Sequence, residues 1–195
     1  MVRLLTGILI SAAFAIPAYA ALKRNDKAPD FSAKASLAGK EFGFSLKSAL
    51  KEGPVVVYFY PSAFTGGCNI EAHTFAENKE KFDAAGASII GVSRDSIGRL
   101  NAFSADPEYC AGKIPVASDP DGAIATSYGL TKTDRKPGMK DTRGDEIEHD
   151  FTERTTFVVT PDGTIAAIFS SSEDKLKPAD HVEKALAAVQ QLAAK

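Results

Sequence analysis

Pro54-Val55-Val56-Val57-Tyr58-Phe59-Tyr60 is a near-continuous run of β-branched and aromatic residues, the pattern of a central strand covered on both faces. Before it, residues 31–44 read as a hairpin with Leu37-Ala38-Gly39-Lys40 as the turn. After it, a loop over 61–67 leads into a helical stretch that sets Ala72, Phe75, Ala76, Lys79 and Phe82 on one side and stops at Gly86. Residues 87–92 form the next strand, and Asp95 opens a second helical segment running toward Tyr109. Pro115-Val116-Ala117 is a short strand, with Asp119 placed to cap the turn of helix that follows. Residues 154–160 and 164–169 are two strands joined at Pro161-Asp162-Gly163. Residues 177–194 close the chain as an amphipathic helix with Val182, Leu186, Val189 and Leu192 inward. This order predicts an α/β sandwich of three layers with a mixed central sheet and an N-terminal β-hairpin. Residues 132–153 are polar, glycine-containing and without period, the mark of a long surface loop.

The first twenty residues stand apart from that fold. Arg3 supplies a short positive region, residues 4–16 are apolar and uncharged, and Ala18-Tyr19-Ala20 follows Pro17 with small residues suited to a signal peptidase. The apolar run is too short to span a bilayer. The pattern predicts a leader over 1–20, export to the periplasm, and a single domain over 21–195. The whole chain has 23 Lys+Arg against 25 Asp+Glu, a formal −2 at pH 7, which becomes −3 when Arg3 leaves with the leader. Scattered charge of that sign lacks the footprint of a nucleic-acid binder, and no second apolar stretch predicts a membrane span. The two cysteines, Cys68 and Cys110, both fall after the leader. In an oxidising compartment two cysteines invite pairing, as a passive staple or as a working couple.

The chemistry concentrates where the first buried strand ends. Tyr60-Pro61-Ser62-Ala63-Phe64-Thr65-Gly66-Gly67-Cys68 turns from strand through loop to the first turn of a helix. Open α/β sheets place their sites at that edge. Free N–H groups and the positive end of the helix dipole there favour a thiolate. Gly66 and Gly67 allow close backbone approach, the hydroxyl of Thr65 reaches the same pocket, and Pro61 stiffens the loop. On position alone, Cys68 is as well explained as a small buried hydrophobe.

The string Pro61-Ser62-Ala63-Phe64-Thr65-Gly66-Gly67-Cys68 resembles the active-site pattern of the peroxiredoxins, and the Cys68-Asn69-Ile70-Glu71-Ala72-His73-Thr74-Phe75 that follows is similar to their Q-type (bacterioferritin comigratory protein) branch. Glu153-Arg154-Thr155-Thr156-Phe157 through Pro161-Asp162-Gly163 resembles the family's arginine-bearing strand and turn. Pro115-Val116-Ala117-Ser118-Asp119 is similar to its proline-to-aspartate segment. The likeness spans nearly the whole chain after residue 20. It implies a thioredoxin-like fold and a thiol-dependent peroxidase that takes a hydroperoxide and is regenerated by a thioredoxin-like or other dithiol reductant. It calls for no cofactor and implies a monomer. By resemblance Cys68 is the peroxidatic nucleophile, Thr65 hydrogen-bonds the sulfur and the peroxide, Arg154 sits beside the thiolate, and Pro61 shapes the loop. Read without the family, Arg154 is a surface ion-pair member. Glu71 has two readings, orienting the site or compensating the helix dipole.

Two departures from the branch carry information. The position five residues after Cys68, where many members hold a resolving cysteine, is His73. Other members resolve from the helix before the proline-to-aspartate segment, and Glu108-Tyr109-Cys110-Ala111 fits that arrangement. The resemblance therefore implies a Cys68–Cys110 disulfide between two helices, reached by local unwinding after Gly67. Gly66 and Asn69 stand where the branch often has proline and threonine, an exchange expected to ease that unwinding. His73, His149 and His181 show no metal-ligand spacing. The competing reading is an exported, non-catalytic domain in which the two cysteines form a structural bridge.

Overall fold

The computed structural model describes residues 21–194, so the expected leader lies outside the described residues. β1 (Ser32–Leu37) and β2 (Lys40–Ser45) form the expected hairpin. Its turn residues Ala38 and Gly39 both take positive φ, at 51° and 78°, as a two-residue turn matched to strand twist requires. A single helical turn, α1 (Leu46–Ala49), follows, capped by the Ser45 hydroxyl. Next come β3 (Val55–Phe59), α2 (Gly66–Ala84), β4 (Ser88–Ser93), α3 (Ile97–Ala105), β5 (Val116–Ser118) and α4 (Ala123–Ser127). The chain ends with β6 (Lys132–Thr133), β7 (Phe151–Thr152), β8 (Thr155–Val159), β9 (Ile165–Ser170) and α5 (Pro178–Ala193).

Seven strands make one mixed sheet in the order β2-β1-β5-β4-β3-β8-β9. β3, β4 and β5 run parallel, while β8 lies antiparallel to β3. All five residues of β3 are buried, and the strand's two-residue period divides them between two cores. Val56, Tyr58 and Tyr60 join Phe75 and Phe82 of α2, Phe103 of α3 and Val182 of α5 on one face. Val55, Val57 and Phe59 face Leu46 of α1, Ala125 of α4 and Tyr128 on the other. Three layers result, with β3 in the middle of each packing contact.

Two expectations need correction. The second helix does not run from Asp95 toward Tyr109: α3 ends at Ala105, so Cys110 lies in a turn and not on a helix. Pro107 is the cause, because a proline forces the preceding residue out of helical geometry, and Asp106 has φ −63° and ψ 123°. Ala111 and Gly112 then reverse the chain at positive φ, 51° and 68°. Nor is the 132–153 segment simply a surface loop. It holds the β6–β7 ribbon and buries Ile147 and Asp141. Its order comes from ion pairs and from hydrogen bonds to and within the backbone, which leave no trace in hydrophobic periodicity.

Tyr58 shows how tightly the sheet is fitted. Its ring stacks on Phe75 at 4.5 Å and on Tyr60 at 5.5 Å between centroids. Its register partner on β4 is Gly91, where an added Cβ would come within 2.6 Å of the tyrosine ring. Gly91→Ala is therefore expected to destabilise the fold by about 1–3 kcal/mol through overpacking, read as a lower urea midpoint. An unchanged midpoint would show that the ring has room to move.

Candidate active site

The site forms where β3 hands over to α2. Pro61 begins the connecting loop and is half-buried. Phe64 adopts φ +59°, a left-handed conformation that costs a non-glycine residue about 1–3 kcal/mol and persists only when its surroundings impose it. They do so here. The Phe64 carbonyl accepts from the backbone N–H and the hydroxyl of Thr142, at 2.9 and 2.8 Å. The ring lies under the Arg143 guanidinium, 3.3 Å from its centroid, and edge-on to Phe103.

Thr65 is the N-cap residue of α2 by backbone, yet its hydroxyl does not cap the helix. It donates to the Ser62 carbonyl at 2.8 Å, closing the loop on itself. The hydrogen bond from Thr65 to the sulfur implied by resemblance is thus absent from this structure, because a local turn has taken the donor. With no side-chain cap, the first-turn N–H groups of α2 stay open beside Cys68.

Cys68 is buried, 2 % exposed, and accepts a hydrogen bond from Arg154 Nη2 at 3.2 Å. Arg154 stands between β7 and β8, and its carbonyl accepts from Ser171 N. The other arm of the guanidinium, Nη1, donates to Glu71 on the next turn of α2. Glu71 is fully buried and its second oxygen, Oε1, has no partner. Burial pushes its carboxyl up to about 7, although Arg154 pulls the other way. Of the two readings of Glu71, the structure supports the orienting one. Gly67 explains how the arginine gets in: an added Cβ would meet Arg154 Nη2 at 3.2 Å and Pro178 Cγ at 3.3 Å. That glycine serves the protein's own arginine.

Cys110 is wholly buried and burial pushes its thiol far up. Both cysteines are free, and both belong to the apolar cluster under one face of the sheet. The structure does not join them. His73 is exposed, with Nδ1 donating to the Glu108 carbonyl at 3.0 Å. His181 is buried between the hydroxyls of Thr156 and Ser171, and burial, with Arg154 nearby, lowers it to about 4. Sequence reasoning missed a third assembly, in which Asp95, Arg99, Asp141 and His149 grip the loop of Ser62 and Ala63. These residues are scattered over three segments, and no spacing rule connects them.

A buried sulfur at a helix start, met by an arginine from just before a distant strand of this sheet, defines a cysteine-based redox enzyme of the thioredoxin-like class. The chain belongs to the AhpC/TSA family, the peroxiredoxins, whose match covers residues 25–168. It is 34% identical over 135 residues to peroxiredoxin Bcp of Xanthomonas campestris pv. campestris, covering 69% of this chain and 75% of that protein. It is 29% identical over 147 residues to the chloroplastic peroxiredoxin Q of Sedum lineare, 74% of this chain and 68% of the relative. Among solved structures, peroxidoxin BcpB of Mycobacterium tuberculosis aligns with a TM-score of 0.70 at 27% identity, over 88% of this chain and 98% of the other. The bacterioferritin comigratory protein of Xanthomonas campestris aligns with a TM-score of 0.63 at 31% identity, over 82% and 91%.

Gly67→Ala tests the placement of the arginine. The new methyl presses on the guanidinium at 3.2 Å and on Pro178 at 3.3 Å, so the arginine must shift relative to the sulfur. Single-turnover oxidation of Cys68 by peroxide is expected to slow by about tenfold, well beyond what the accompanying small drop in urea midpoint accounts for. Wild-type kinetics in this variant would mean that the Arg154 contact is dispensable.

Proposed function

We propose that Cys68 attacks the terminal oxygen of a hydroperoxide and that Cys110 resolves the product. In the first step the sulfur of Cys68, as thiolate, takes the oxygen as the O–O bond breaks. The leaving alkoxide or hydroxide takes a proton, which gives ROH or water and leaves a sulfenic acid. In the second step the Cys110 sulfur displaces the hydroxyl of that sulfenic acid, forming the Cys68–Cys110 disulfide and releasing water. A dithiol protein then takes over the disulfide by exchange, returning both cysteines to thiols.

The observation that carries this reading is the Arg154 contact to the Cys68 sulfur. A fixed guanidinium and the open N–H groups of α2 place donors where charge builds on the departing oxygen. Hydrogen peroxide and organic hydroperoxides both fit this chemistry. The bacterioferritin comigratory protein of Xanthomonas campestris has alkyl peroxide reduction activity, which supports organic substrates here. Resolution requires local opening, since both sulfurs are buried. The uncapped start of α2 and the turn around Cys110 are the segments suited to it. The protein acts as a monomer in the periplasm after cleavage behind Ala20, and an exported thioredoxin-like protein is its reductant.

Peroxide consumption with dithiothreitol separates the roles. Cys68→Ser should be inactive. Cys110→Ser should still turn over with the small thiol but form no intramolecular disulfide on treatment with peroxide. Equal consumption by wild type and both variants would rule out the mechanism. A melting defect in Cys68→Ser beside an inert wild type would instead favour the structural bridge. The location has its own check: N-terminal sequencing of the protein from a periplasmic extract should begin at Ala21, and recovery of the uncleaved chain from the cytosol would overturn it.

A further inference from the structure

The loop that carries Thr65 is gripped by a charge cluster the peroxide chemistry above does not use. Asp95, just beyond β4, has a fully buried carboxylate. Its Oδ2 accepts from the backbone N–H of Ala63 at 2.7 Å and from the Ser93 hydroxyl at 2.8 Å. Its Oδ1 accepts from Arg99 Nε at 2.8 Å, His149 Nε2 at 2.9 Å and the Ser62 hydroxyl at 3.1 Å. Arg99 Nη2 continues to the Ala63 carbonyl at 3.0 Å and to Asp141 at 2.7 Å. One carboxylate thus ties Ser62 and Ala63 to the ends of β4 and α3 and to the 132–153 segment, immediately before the strained Phe64.

His149 has an unusual environment in this cluster. Its Nδ1 lies 2.8 Å from the Asp150 carbonyl oxygen and its Nε2 2.9 Å from the Asp95 carboxylate. Both partners only accept, so the ring satisfies them by donating from both nitrogens, which is the imidazolium form. We infer that His149 is a positioning residue for peroxide reduction, an imidazolium that locks Asp95 onto the Ser62–Ala63 backbone and so holds the loop that leads into the start of α2 and Cys68. This deepens, and rests on, the reading of Cys68 as the attacking sulfur.

Loss of the ring proton removes one of the two donations and the charge opposite Asp95, and slackens the grip on the loop. The neighbouring groups set where that happens. Burial pulls His149 down, but the hydrogen bond and charge of Asp95 and the Asp150 carbonyl more than offset it, with Arg99 opposing. The result lies above the ordinary histidine value. Arg94, Arg143, Glu146 and Glu148 line the same surface cleft of about 490 Å³ through which the ring edge reaches solvent. For a histidine raised on folding, the interaction is complete below about pH 6.5 and is lost as pH climbs through the raised value. Thiolate formation runs the other way, so the clamp adds a descending alkaline limb to the peroxide rate.

The experiment is single-turnover oxidation of reduced protein by hydrogen peroxide, from about pH 5 to about pH 9, for wild type, His149→Gln and His149→Ala. His149→Ala is expected to react about tenfold slower near pH 6. His149→Gln, whose amide donates to Asp95 but does not titrate, should recover part of that loss and show no alkaline limb. Amide hydrogen exchange of Ser62 to Thr65 gives a readout independent of chemistry: it should quicken with rising pH in wild type, beyond the intrinsic change seen in His149→Gln. Variants that melt earlier yet keep the wild-type pH profile, or loop exchange that follows the same course in both proteins, overturn the inference. A wild type inert to peroxide whose loop exchange still depends on His149 sinks the peroxidase reading and leaves the loop clamp standing.

Discussion

One guanidinium joins the two halves of this site. The Arg154 side chain is nearly buried, and a buried cation is tolerated only when its donors are met. Its two arms reach Cys68 and Glu71, one turn apart on α2. The arginine comes from the junction of β7 and β8, 86 residues beyond the cysteine, so the pairing of β8 against β3 brings them together. Gly67 clears the space, and Pro178 at the start of α5 closes it from the other side. Substituting any of these would move the guanidinium that donates to the sulfur.

The same guanidinium faces two groups that can each become an anion, and that competition matters for chemistry. Burial pushes the Glu71 carboxyl upward against the pull of Arg154. With Glu71 protonated, the guanidinium keeps its hydrogen bond to the sulfur while losing the opposing carboxylate charge. With Glu71 ionised, the charge is shared. A buried carboxyl with one unpartnered oxygen is costly to keep, and at this position it sets how much of the arginine the sulfur receives. The neighbouring loop follows a related logic, in which local strain at Phe64 is held by bonds from Thr142, Arg99 and Asp95 that lie outside the reacting atoms.

Much of this architecture is legible in the sequence, for definite reasons. The buried β3 run, the Gly86 stop after α2, the Ala38-Gly39 turn and the Pro161-Asp162-Gly163 hairpin are local signals, and all appear where the pattern puts them. The pairing of Cys68 with Arg154 is legible only through resemblance, because nothing local marks an arginine as reaching a sulfur 86 residues away. The failures are equally specific. Pro107 ends α3 early and leaves Cys110 on a turn. The Thr65 hydroxyl goes to the nearest carbonyl and not to the sulfur. Asp95 reads as a helix opener, but Ser96 takes the cap and frees Asp95 to turn inward. His149 sits in an unpatterned stretch whose order is made of hydrogen bonds.

The reduced fold also constrains how the proposed cycle can proceed. Phe64 packs edge-on against both Phe103 and Tyr109, and Phe103 stacks on Tyr109. Phe64 belongs to the loop before Cys68, and Tyr109 directly precedes Cys110. These three rings therefore bridge the segments that carry Cys68 and Cys110, both of which the proposed resolution step would rearrange. A movement that pulls Phe64 out of its left-handed conformation strips an aromatic partner from Tyr109 and loosens the Cys110 turn in the same event. In the proposed resolution step such a movement would couple the two segments, and leaving the left-handed conformation at Phe64 would relieve its strain. The bonds that Thr142 donates to the Phe64 carbonyl and that the Ala63 N–H donates to Asp95 act against this release, so the loop before Cys68 is strained and held at once.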